Sequence, residues 1–217
     1  MSLITKKVAD KIRNEIIEYK LKPGEKLSEV DLCNRINVSR TPVREAFRLL
    51  QSEGYLKYQS NIGMVVAKTD LGKTSEIYEV RTEIERLTIK YAVRNCTPKL
   101  IQDLKAINEK LKNSIGESMS DRLRLDFDFH RRIATAAKNA SISEYFESFY
   151  VKSVMIYHMV SLEKVMTPIY AEHNDIIAAI AMKDEALAAK YMEAHLMRSC
   201  SSIKDTLAFG GVYPKDE

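Results

Sequence analysis

The sequence predicts a mainly α protein in two parts, and three observations carry the prediction. Apolar residues recur at helical spacing through almost the whole chain. One short stretch, from Tyr55 to Val66, breaks that rhythm with alternating residues around a polar turn. The charge balance also changes near residue 69: positions 1–69 hold 13 Lys and Arg against 8 Asp and Glu, and the remainder holds 21 against 22.

The elements follow in order. Ile4, Val8, Ile12 and Ile16 recur every four residues and mark a first amphipathic helix, which Lys22-Pro23-Gly24 ends with a turn. A second helix starts near Ser28, whose hydroxyl can cap it with Asp31 three residues on, and runs to about Ile36. A third begins at Ser39 or Thr41, with Pro42 in its first turn and Val43, Phe47 and Leu50 on its apolar side. After Glu53-Gly54, the runs Tyr55-Leu56 to Tyr58 and Met64-Val65-Val66 flank Ser60-Asn61-Ile62-Gly63 and read as a β-hairpin. Three short helices followed by a hairpin make residues 1–69 a winged helix-turn-helix. From Asp70 the pattern is helical throughout, with helices expected at about 70–95, 98–115, 119–138, 141–163, 168–182 and 184–208. Thr97-Pro98 and Thr167-Pro168 each supply a capping threonine before a proline at the first helical position. Residues 70–208 are therefore expected to form an all-α bundle, and 209–217, with two glycines and a proline, a loosely attached tail.

Composition bounds the function classes. Of 217 residues, 45% are hydrophobic and 29% charged, which suits a folded domain and excludes a disordered chain. No stretch of 18 uncharged apolar residues occurs, and Lys6, Lys7 and Asp10 near the N-terminus precede no apolar core, so neither a membrane span nor a signal peptide is expected and the protein is placed in the cytoplasm. Cys33, Cys96 and Cys200 are odd in number and lack CxxC spacing, which argues against disulfides and thiolate zinc and suggests reduced, buried fillers. The positive excess of the first third is where a polyanion would bind.

Two constellations carry chemistry. The first is Pro23-Gly24-Glu25-Lys26-Leu27-Ser28-Glu29 followed by Val38-Ser39-Arg40-Thr41-Pro42-Val43-Arg44-Glu45-Ala46, then Leu49-Leu50, Glu53-Gly54-Tyr55-Leu56 and Gly63. This run closely resembles the signature of GntR-family regulators over residues 5–68. The physics agrees: a helix fits the major groove, and its N-terminal end presents N–H groups and positive dipole to phosphates. Ser39, Arg40, Thr41 and Arg44 cluster at that end. The resemblance implies that Arg40 and Arg44 contact bases, that Ser39 and Thr41 contact phosphate or base edges, and that Gly63 lets the wing approach the minor groove; Arg48, one turn on, suits phosphate. Val30 and Asn61-Ile62 stand where some members carry basic DNA contacts, which weakens groove reading by the wing. The alternative is that Arg44 and Arg48 are ordinary surface charge at i, i+4.

The second constellation is Asp126 and His130, four apart on one predicted helix and thus on one face, with His173 and His195. The two later histidines lie at similar distances from the Met182-Lys183 turn, so an antiparallel helix pair sets their imidazoles at similar height. All three histidines fall on apolar stripes, and burying three imidazoles and a carboxylate without partners is costly, whereas a divalent cation would satisfy all four. The chain here resembles the FCD subclass of GntR regulators over about residues 75–205, whose ligand domain uses an Asp-x3-His pair and two later histidines as metal ligands. Three histidines and a carboxylate suit zinc first, with nickel, iron and manganese as alternatives. His158 has no partner at useful spacing.

Arg81 with Ile84-Glu85 matches the Arg-x-x-[Leu/Ile]-Glu feature of the family's first ligand-domain helix, which suggests an effector-facing arginine able to hold a carboxylate at two points; the alternative is a surface pair with Glu85. Asn139 matches another cavity-lining position. The combined reading is a dimeric, non-enzymatic transcription regulator, in the first instance a repressor, that binds a double-stranded operator under control of a small organic or sugar acid. Two alternatives stand beside it: a metal-dependent hydrolase with a DNA-binding appendage, and a regulator with a purely structural metal. Asp128 and Glu172, the acidic neighbours of the quartet, are expected to point to other faces, leaving no general base.

Overall fold

The computed structural model describes residues 2–68, 70–114, 119–158 and 169–208, and these fall into two compact units. The first comprises Met1–Thr69 and Val151–His158; the second comprises Asp70–Tyr150 and the described residues after 158.

In the first unit, α1 (Leu3–Ile17) starts at Ser2, whose hydroxyl accepts from the Thr5 N–H, and buries Val8, Ile12 and Ile16 as the four-residue spacing requires. Helix α2 (Glu29–Ile36) is capped by Ser28, which accepts from the Asp31 N–H at 3.3 Å, and ends at Asn37 in the left-handed region. Helix α3 (Arg40–Ser52) follows after three residues and buries Val43, Ala46, Phe47 and Leu50 against α1 and α2. Thr5 donates to Glu45 at 2.7 Å and Arg13 donates to Glu53 through two nitrogens, tying α1 to α3. Glu45 is therefore tied to α1.

Strands β1 (Leu56–Gln59) and β2 (Gly63–Val66) pair antiparallel from Leu56↔Val66 to Gln59↔Gly63. The turn needs positive φ at Asn61 (66°) and Gly63 (105°), the second of which only glycine takes without strain. One feature is absent from the sequence pattern. The segment after the Pro23-Gly24 turn adds a third edge to the hairpin: Gly24 donates to Val66, Val66 to Glu25, and Leu27 to Met64, each at 2.9 Å.

In the second unit a short 3-10 turn (Leu71–Lys73) leads into α4 (Thr74–Arg94), so the helix starts four residues later than expected. There follow α5 (Pro98–Asn113), α6 (Met119–Ala136), α7 (Ala140–His158, of which Val151–His158 belong to the first unit), α8 (Ile169–Ala181) and α9 (Glu185–Ala208). Thr97 caps α5 by accepting from Leu100 at 3.1 Å, as its place before Pro98 predicts. Helices α8 and α9 form the expected antiparallel pair around Met182-Lys183-Asp184, with Lys183 at φ 58° and Asp184 capping α9 through Leu187. The core is built from Ile89, Leu104, Phe127, Phe129, Ile133, Ile176, Ile180 and Leu196, with α4 lying along α9 and against α6.

The cysteines depart from expectation. All three are free but only half-buried, because Cys33 and Cys200 sit at helix flanks and Cys96 in the turn before α5. The Thr167 cap, the tail 209–217 and the side chain of His158 lie outside the described residues. No described helix is long and apolar enough to cross a membrane.

Candidate metal centre and nucleic-acid interface

Helix α6 places Asp126 and His130 one turn apart facing inward, α8 contributes His173, and α9 contributes His195; all four are at most 2% exposed. One ligand atom from each lies within 4.8 Å of the others. His130 Nε2 and His195 Nε2 stand 3.2 Å apart, His173 Nε2 is 3.4 Å from Asp126 Oδ1, and His130 Nε2 is 3.9 Å from the same oxygen. The Phe129 ring stacks on His173 with centroids 3.7 Å apart, which fixes that imidazole's plane.

Two carboxylates outside the quartet orient two of its histidines. Glu85 on α4 accepts from His130 Nδ1 and is held by Arg81 Nε at 2.6 Å. Glu172 on α8 accepts from His195 Nδ1 at 2.7 Å and is held by Arg198 Nη2 at 2.8 Å and by Arg198 Nε. A carboxylate on Nδ1 fixes the tautomer that carries its proton there and leaves Nε2 as a lone pair. Both Nε2 atoms therefore face each other as acceptors, with Asp126 Oδ1 beside them. Asp126 Oδ1 and both ring nitrogens of His173 are buried with no hydrogen-bond partner among the described residues; the 3.4 Å approach between them lacks hydrogen-bond alignment. Each such orphan costs on the order of 1–3 kcal/mol, and more for a charged group. A cation among these atoms would satisfy Asp126 Oδ1 and one ring nitrogen of His173, so the donor set fits a divalent metal.

The electrostatics agree. Burial pushes the Glu85 carboxyl up, but His130 and Arg81 outweigh it and hold it at about 2. Burial likewise opposes Glu172, and His195 with Arg198 brings it to about 2. Asp126 stays below the usual carboxylate range because the surrounding imidazoles overcome its burial. Burial pushes His173 down to about 3 and lowers His195 as well, which keeps those rings in the neutral form that binds metals.

Glu172 is a correction to the sequence reading. It does leave a different face from His173, but that face is the one turned toward α9, where His195 and Arg198 project together. The i, i+3 spacing of His195 and Arg198 is the signal that could have found it. Glu85 was legible only as a partner of Arg81. That pair forms, yet it is 3–4% exposed and so is an interior clamp, not surface charge. Asn139 uses its carboxamide oxygen to cap α7, accepting from Ile142 at 3.2 Å. Asp128 meets Arg131 at 3.2 Å. Replacing Glu172 with Gln keeps an acceptor for His195 but removes the charge that holds Arg198; metal affinity, read by competition with a chromophoric chelator, is expected to fall about 10–100-fold.

In the first unit, Ser39, Arg40, Thr41, Arg44 and Arg48 are all exposed along α3. Ser39 makes no side-chain capping bond, so the first-turn N–H groups have no such competitor for an incoming phosphate. Arg44 Nε meets Glu29 Oε2 at 2.7 Å with both side chains substantially exposed, a contact that water screens and a nucleic acid can displace. Gly63 stands in the wing with open space where a Cβ would point. Val30 and Ile62 are exposed apolar residues, at 49% and 40%.

The comparisons with known proteins match both parts. The profile described as "Bacterial regulatory proteins, gntR family" matches residues 4–66, and that of the FCD domain matches residues 76–198. The gluconate operon transcriptional repressor of Bacillus subtilis is 31% identical over 189 residues, covering 83% of this chain and 77% of that protein. The HTH-type transcriptional repressor RspR of Escherichia coli is 26% identical over 196 residues, covering 89% and 86%. Among solved structures, E. coli McbR/YncC superposes with a TM-score of 0.83 at 21% identity, covering 95% of this chain and all of that one. A putative transcriptional regulator GntR from Rhodococcus sp. RHA1 gives 0.81 at 23% identity, covering 93% and 97%. These two structures speak to the fold.

Proposed function

The chain belongs to the GntR family of bacterial regulatory proteins and carries an FCD domain, and from that premise we propose that its buried histidine–aspartate cluster holds a divalent metal through which a small carboxylate controls DNA binding. The protein is a DNA-binding transcription regulator, mainly helical with a two-strand wing. Residues 1–69 form its DNA-binding domain and 70–208 its effector domain, and it acts as a homodimer on a two-part operator, since one module offers too few contacts for tight specific binding.

The observation that carries the metal reading is the pair of Nε2 atoms 3.2 Å apart, each turned to the centre by a carboxylate on its Nδ1. Asp126, His130, His173 and His195 would hold the ion, and zinc is the first occupant to test, ahead of nickel, iron and manganese. When bound, such an ion supplies a Lewis-acidic centre that a carboxylate can join. Arg81 serves this reading indirectly: it holds Glu85, which holds His130. Asn139, as a cap, sets where α7 begins.

A groove of about 580 Å³ between α4 and α9 offers a second place for a small molecule, but Glu79, Glu83, Glu193 and Asp205 rim it against one Lys204. That balance repels a carboxylate and favours the metal centre. The hydrolase alternative fares worse: both oxygens of Glu172 are engaged by His195 and Arg198, and Asp128 pairs with Arg131. Protein purified without chelator is expected to carry about one metal per chain by elemental analysis. Organic and sugar acids titrated into the metal-loaded protein should shift operator binding in a mobility assay, and acids without any effect on the metal-loaded form would overturn the effector reading.

A further inference from the structure

The three histidines of the centre are not held alike. His130 and His195 each donate from Nδ1 to a carboxylate, Glu85 and Glu172, and each carboxylate is gripped in turn by an arginine. His173 has no such chain behind it. It is fully buried, and neither of its ring nitrogens has a hydrogen-bond partner among the described residues. What supports it is Phe129, fully buried on α6, whose ring lies 9° from parallel to the imidazole at a centroid distance of 3.7 Å. Asp126 does not supply the missing carboxylate, because its Oδ1, 3.4 Å from His173 Nε2, is itself offered to the ion.

The two kinds of support differ physically. A carboxylate on Nδ1 fixes the tautomer and the orientation of the ring, and makes Nε2 a stronger donor. A parallel aromatic face offers the ring nitrogens no acceptor, so it selects neither tautomer nor rotation within the plane. It does set the plane itself, and a nitrogen lone pair lies in that plane. Stacking therefore aims the lone pair at an ion without strengthening it. We infer that Phe129 is the positioning residue for His173, and that His173 is the weakest metal ligand of the three histidines. The inference rests on the metal reading above and ranks the ligands within it.

The test measures metal affinity of the full-length protein by competition with a chromophoric chelator, and the cobalt(II) absorption spectrum as a report on the ligand set. His173→Ala is expected to weaken binding about 10-fold less than His130→Ala or His195→Ala, the smaller end of what an oriented carboxylate contributes to a histidine ligand. Phe129→Leu removes the stacked face and keeps an apolar side chain. It is expected to weaken binding several-fold, to change the cobalt spectrum, and to have no further effect on affinity once His173 is replaced by Ala. A residue that acts only through core packing does not show that non-additivity. A parent protein that binds no metal overturns the metal reading itself. A parent that binds metal, with His173→Ala as damaging as the other two, overturns the ranking. A Phe129→Leu effect that adds in full to that of His173→Ala overturns the role of Phe129. Melts of the metal-free variants separate lost ligation from lost folding, and if Phe129→Leu does not fold, the ranking of the three histidine variants decides.

Discussion

Replacing Arg44 with Ala is expected to lower operator affinity by about 5- to 150-fold for each half-site it reads, the loss of about 1–3 kcal/mol that a two-point arginine–guanine contact contributes. Arg44 stands exposed on the second turn of α3, and water screens its contact with Glu29. In a mobility-shift titration at moderate salt, the loss should be accompanied by relaxed discrimination at one base position per half-site. Unchanged affinity would overturn the role given to α3. Arg48→Ala separates the two kinds of contact. If Arg48 meets phosphate, affinity should fall about equally on all sequences, and the slope of log affinity against log salt should decrease by about 1.

The second large effect concerns the metal centre. Asp126→Asn is expected to abolish metal-dependent stabilisation while leaving the metal-free protein folded. The reason lies in the geometry: Asp126 Oδ1 is buried without a hydrogen-bond partner among the described residues, so the amide removes a metal ligand without breaking a hydrogen bond to that oxygen. With free metal at about 1,000 times its dissociation constant, linkage contributes about 4 kcal/mol to the native state. For a chain of this size that corresponds to a Tm shift of about 8–16 °C on chelation. Thermal melts of parent and variant, each with and without chelator, measure all four corners. A parent protein indifferent to chelation, or a variant that still responds, would remove the metal from the account.

How much of this was legible before the structure differs between the two sites. The DNA-reading surface is local: cap, turn, proline and arginines lie within consecutive residues of one helix-turn-helix, and helical periodicity alone puts Arg44 and Arg48 opposite Val43, Phe47 and Leu50. The four candidate metal ligands were likewise legible, because Asp126 and His130 share a face by spacing and the α8–α9 turn is marked by sequence. Their outer partners were not. Glu85 lies 45 residues from His130 and meets it only because α4 packs on α6. Glu172, adjacent to His173, turns instead to His195 on the next helix.

The sequence by itself determined the helical periods, the caps at Ser28 and Thr97, the two-strand wing and the shared face of Asp126 and His130, since each depends on residues within a few positions of one another. Only the tertiary structure decided that Arg81 and Glu85 are an interior clamp, that Glu172 faces the centre through His195, that Asn139 is spent on a helix cap, and that the segment after Gly24 joins the wing. In each case the deciding contact joins elements whose relative placement follows from packing, and burial then turns what reads as surface charge into a fixed, oriented partner.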